Sequence, residues 1–160
     1  MDMHDKDRLT IAQRVAEAIV MLAMIGMIGF FAFHQQVNSG FFTEKFGSLD
    51  AFWFFGPMIA GLIAPAVRVW TGNRNPARPF EIITSLFLAF GALYLLSAFP
   101  FSFAHLADTL PQGIRFILAW FSDDIGKIVI ILQIVFCPIS ALVSVWRYFS
   151  RRRQEFSHSY

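Results

Sequence analysis

The chain has 160 residues and a formal net charge of +2. Apolar residues make up 56% and charged residues 15%, with 20 phenylalanines and a mean hydropathy of +0.56. A soluble domain carries roughly 25% charge and a disordered chain is poor in apolar residues, so both are excluded. The lone Cys137 excludes an intramolecular disulfide framework and a multi-cysteine zinc site.

A hydrocarbon core about 30 Å thick needs about 20 mostly apolar helical residues. Four stretches reach or approach that length. The first covers residues 15–34, after an N-terminal segment 1–14, and Thr10 with Gln13 forms a capping-box pattern before it. The second covers residues 51–67, with Pro57 and Pro65 inside it. The third covers residues 82–103 and contains Pro100; the fourth covers residues 125–146 and contains Pro138. Ser122, Asp123 and Asp124 offer caps to the fourth. No segment alternates as a membrane barrel strand would, and helices satisfy their own backbone in lipid. The expected fold is therefore all-α: an integral membrane four-helix transmembrane bundle.

Between spans three and four, Pro111 precedes Ile114, Ile117, Leu118 and Phe121. That spacing marks one helical face and predicts a short amphipathic interfacial helix over residues 111–122 on the outer face. Its expected role is to cap the bundle.

Ten of the thirteen basic residues fall in alternate connections: Lys6, Arg8 and Arg14; Arg68, Arg74 and Arg78; Arg147, Arg151, Arg152 and Arg153. Lys45, Arg115 and Lys127 occupy the others. The positive-inside rule then places both termini in the cytoplasm, and an inner membrane is the default location. Residues 147–160 read as a basic cytoplasmic tail. Arg68, Arg74, Arg78 and the Arg151–Arg152–Arg153 run are expected to face anionic lipid heads. Trp53 and Trp120 fall at the expected outer edge, and Trp70 and Trp146 at the inner edge.

Ionisable groups inside spans are functional candidates. Glu17 can pair with Arg14 on its own helix; alternatively it is the carboxylate of a small proton-coupled transporter. Glu81 begins the third helix and can pair with Arg78. Gln133 sits deep in the fourth span, where an amide is expected to face another helix and hydrogen-bond across. His34 and His105 end the first and third spans after phenylalanine runs (GFFAFH, FPFSFAH). Facing each other, they would suit a haem or quinone at the outer face, or a metal shared with Asp108, Asp123 or Asp124. No nucleotide-binding or hydrolase motif is present, and nothing points to nucleic acid.

The chain thus reads as a multi-pass membrane protein acting as a non-enzymatic packing or accessory subunit. It is expected to associate with itself or with another membrane protein. The alternatives are outer-face electron transfer through His34 and His105, and transport through Glu17.

Overall fold

The computed structural model describes residues 7–157 except residue 109, with side chains described through residue 150. The fold is an all-α bundle without strands among the described residues. Its helices are α1 (Ile11–Gln36), α2 (Ser48–Ala60), α3 (Ile63–Thr71), α4 (Arg78–Ala98) and α5 (Asp123–Ser157). Four helical segments are long and apolar enough to cross a membrane, with α2 and α3 together forming the second.

The N-terminal capping box forms as expected. Thr10 Oγ1 accepts from Gln13 N at 3.3 Å, and Gln13 Oε1 accepts from Thr10 N at 3.1 Å. The second segment is longer than expected, covering Ser48–Thr71, 24 residues or about 36 Å of helix. It breaks briefly at Gly61 and Leu62, because Pro65, four residues after Gly61, has no N–H to donate to the Gly61 carbonyl and its ring crowds that group.

The third span also shifts. It begins at Arg78, with Pro79 in its first turn, where a missing N–H is harmless. It stops at Ala98 rather than continuing to residue 103. Phe99 adopts a left-handed backbone (φ 35°) immediately before Pro100, so the helix ends there.

The expected amphipathic helix over residues 111–122 is corrected to a 3-10 stretch, Gln112–Ile117. Ile114 and Ile117 are exposed, whereas Leu118 and Phe121 pack against the aromatic core. Pro111 starts the stretch, but the tight turns continue only to Ile117. Helix α5 continues unbroken past the fourth span to Ser157.

Helix α4 is central. It packs along α5 on one side and against α2 on the other, while α1 lies mainly against α3. Contact between α2 and α4 is close because Gly91 has no side chain: a Cβ there would lie 2.8 Å from the Trp53 carbonyl oxygen. Trp53 itself is no free anchor, since it stacks on Tyr94 at 6.1 Å and meets Phe87 edge-on at 5.6 Å. Trp70, Trp120 and Trp146 are exposed.

The two ends of the bundle differ. One gathers phenylalanines from α1, α2 and the long connections around Tyr94 and Leu95 of α4. The other gathers arginines and carboxylates from Asp7, α1, α3, the α3–α4 link, α4 and α5.

Candidate functional site: an arginine-lined cavity and an aromatic end

Helix α3 ends on Gly72, whose left-handed backbone (φ 65°) lets the chain turn sharply. A 3-10 turn, Asn75–Ala77, then leads straight into α4. The short link sets Arg68, in the last turn of α3, beside Glu81, in the first turn of α4. Because α1 lies on α3, Glu17 approaches the same guanidinium.

Arg68 therefore joins two carboxylates. Its Nη2 lies 3.1 Å from Glu17 Oε2, and its Nη1 donates to Glu81 Oε1. Ser144 of α5 donates to the other Glu81 oxygen at 3.4 Å. The rigid guanidinium fork suits such a bridge. Arg78, 8% exposed, makes a second clasp: Nη2 to Asp7 Oδ1 at 3.2 Å and Nη1 to the Arg147 carbonyl at 3.0 Å. The backbone of the N-terminal segment pairs with the α3–α4 link, Leu9 N donating to Gly72 O at 2.8 Å and Arg74 N to Asp7 O at 3.0 Å. These groups enclose a cavity of about 530 Å³.

Several expectations change here. Glu17 pairs with Arg68 on another helix, not with Arg14; Arg14 Nε instead donates to the Val69 carbonyl at 3.0 Å. Glu81 pairs with Arg68, not with Arg78. Arg68 and Arg78 are internal clasps rather than lipid-facing cations. Arg74 is exposed at the cavity rim. The side chains of Arg151, Arg152 and Arg153 lie outside the described residues.

At the other end, α1 closes on His34, which is 0% exposed. Its Nδ1 is 2.6 Å from Ser39 Oγ, and its ring meets Phe30 edge-on at 4.4 Å. The chain then reverses through Asn38 (φ 48°) and Gly40 (φ 89°). This turn delivers Phe41, 1% exposed, into contact with Phe31, Phe42, Phe101 and Phe103 at ring separations of 4.8–5.5 Å. Phe41 O accepts from Ser102 N at 2.8 Å, and Pro100 O accepts from Thr43 N at 3.1 Å, so the two connections are stitched together.

His105 packs over Gly40, where a Cβ would lie 3.1 Å from the imidazole, and its Nδ1 is 2.8 Å from Asp108 Oδ2. The two histidines thus flank one segment but differ in setting. His34 is enclosed and tied to Ser39, and His105 is half-exposed and tied to Asp108. A haem iron would find no opening beside the His34 ring. Asp123 Oδ1 accepts from Phe103 N at 2.6 Å, and Asp124 lies 3.8 Å from Lys127. No three His, Cys, Asp or Glu side chains converge as a metal site among the described residues.

Gln133 does not face a neighbouring helix. It lies exposed on α5 and makes no side-chain hydrogen bond among the described residues.

Asp50 escaped the sequence reading. It is 6% exposed and accepts from Gly47 N at 2.8 Å. The available signal was an acid three residues after a turn glycine, at the start of an apolar run.

Compared with known proteins, the chain matches no family model, no curated protein and no solved structure at a significant level.

Proposed function

We propose that the chain is a multi-pass inner-membrane protein with both termini in the cytoplasm, acting as a non-enzymatic subunit that associates with another membrane helix. The observation that carries this reading is Gln133. It lies ten residues into α5, about 15 Å along the helix from Asp123, and is exposed on the outside of the bundle with no side-chain hydrogen-bond partner among the described residues. An amide facing hydrocarbon leaves donors and acceptors unsatisfied. A hydrogen-bonding group on a second helix would satisfy them. The basic connections support the orientation through the positive-inside rule.

Electron transfer through His34 and His105 requires the enclosed His34 ring to open. Transport through Glu17 requires that carboxylate to leave Arg68. Each therefore has weaker support than association.

The test is native mass spectrometry of protein extracted gently from its own membrane, with and without Gln133→Leu. A stoichiometric homo- or hetero-oligomer is expected. The substitution should weaken it by about 3- to 20-fold, matching the roughly 0.6–1.7 kcal/mol measured for interhelical hydrogen bonds in lipid. A wild-type chain that is monomeric and partner-free in native lipid would sink the proposal.

A further inference from the structure

The cavity at the arginine-lined end has more donors than acceptors. Four guanidiniums border it, from Arg68, Arg74, Arg78 and Arg147, against three carboxylates, from Asp7, Glu17 and Glu81. All three carboxylates are engaged by Arg68 and Arg78. Arg74 and Arg147 reach the rim with no carboxylate partner among the described residues. The hydroxyls of Ser144 and Ser150 also line the space. Arg68 Nε is also buried without an acceptor.

A site with surplus donors calls for a ligand that offers only acceptors. The two rim guanidiniums add positive charge, so that ligand is an anion. The cavity, about 530 Å³, has room for a tetrahedral oxyanion and the group that carries it. Guanidinium forks match phosphate oxygens bidentately. Exposed Trp70 and Trp146 lie at this same end, and indole rings favour the headgroup level of a bilayer.

We infer that this cavity binds a phosphate group, with Arg74 and Arg147 as its principal ligands and Arg68, Arg78, Glu17, Glu81 and Asp7 holding the walls in place. A phospholipid head and a free phosphate present the same chemistry. The site stands independently of Gln133 and of the association proposed above.

The experiment uses the full chain, purified in detergent and stripped of lipid, with binding read by native mass spectrometry. The probes are phosphatidylglycerol, phosphatidylcholine and inorganic phosphate. Arg74→Gln with Arg147→Gln removes both rim cations. Neither side chain makes an internal bond among the described residues, so the bundle should survive, as circular dichroism will check. Each single substitution provides the same reading at half strength should the pair fail to fold. The control is Arg151→Gln, Arg152→Gln and Arg153→Gln together, which removes three charges from the sequence beyond Ser150, the last residue in the chain that lines the cavity.

The expected result is that the rim pair weakens phosphate-group binding by roughly tenfold or more, as loss of two charge-assisted bonds implies, and by more than the tail control does. Loss of phosphatidylglycerol alone identifies a lipid head as the source. Displacement of bound lipid by inorganic phosphate, or binding of inorganic phosphate by itself, identifies the free ion. Equal or greater loss in the tail control would mean diffuse surface attraction and would overturn the site, as would unchanged binding in the rim pair.

Discussion

The two ends of the bundle solve the same problem with opposite chemistry. At the aromatic end, long connections fold back and insert their own side chains into the core, so Phe41 and Phe101 come from loops and stack against each other at 5.5 Å. At the arginine end the α3–α4 connection is short, and closure comes from charge: Arg68 joins α1 to α4, and Arg78 joins the N-terminal segment to α5. Ring packing depends on shape and tolerates no missing volume. Paired charges depend on one another, so removing one strands the rest. The ends should therefore respond differently to substitution and to rescue.

The largest difference is expected at Phe41. Truncation to Ala leaves a void among five aromatic neighbours, counting His34, and should cost about 3–5 kcal/mol. Unfolding by denaturing detergent, followed by circular dichroism, would measure it. A loss under about 1 kcal/mol would show that the ring cluster collapses freely and is not a packed core.

Arg68→Met comes next, at roughly 2–3 kcal/mol, below the value for a fully buried pair because the groups retain some solvent. Here rescue is the sharper test. Adding Glu17→Gln and Glu81→Gln removes the stranded charges, and most of the loss should return. No comparable rescue is expected for Phe41. If the triple variant is no better than Arg68→Met alone, the clasp is not electrostatic and the contrast between the ends fails.

Gly126→Ala is expected to fall lower. A Cβ there would lie 2.1 Å from Phe103 Cε2, so the ring must move. Overpacking costs about 1–3 kcal/mol, while Ala regains about 1 kcal/mol of helix propensity over Gly. The net is a loss of about 1 kcal/mol. Phe103→Leu in the same chain should relieve it, and a double-mutant cycle measures the coupling.

Much of this architecture was legible before any coordinates. Apolar runs of near-bilayer length identify four helical segments, because satisfying the backbone in hydrocarbon leaves few alternatives. The Thr10–Gln13 box was equally clear, since capping is local. Element ends were harder. Phe99 turns left-handed one residue before Pro100, and hydropathy alone does not register that stop, since phenylalanine continues on both sides. The pairings were hardest. Sequence spacing offers Arg14 to Glu17 and Arg78 to Glu81, both on one helix. The structure chooses Arg68 for both carboxylates because α3 lies against α1 and leads directly into α4. Which helices touch is a long-range property, so partners separated by 51 and 13 positions cannot be read from periodicity. Gln133 shows the converse: its depth was readable, but the direction of its amide depends on which face of α5 meets α4.

The smallest effect tests whether the arginine end depends on local order. Thr10→Ala removes one half of the capping box that starts α1, and an exposed cap is worth about 0.5–1 kcal/mol. If the end is held chiefly by the Arg68 and Arg78 clasps, the damage stays local. Amide exchange should quicken at Ile11, Ala12 and Gln13, which lie in the freed first turn. Exchange near Glu17 and Glu81 should not change, since their anchor lies on α3. Leu9 N–H is the informative intermediate, because it donates to Gly72 across the link and adjoins the cap. Protection retained at Leu9 means that the pairing of residues 7–9 with the link holds the N-terminal segment independently of the helix start. Protection lost at Leu9 together with Glu17 would mean that the first turn of α1 and the charge clasps form one cooperative unit, joining local and long-range order at this end.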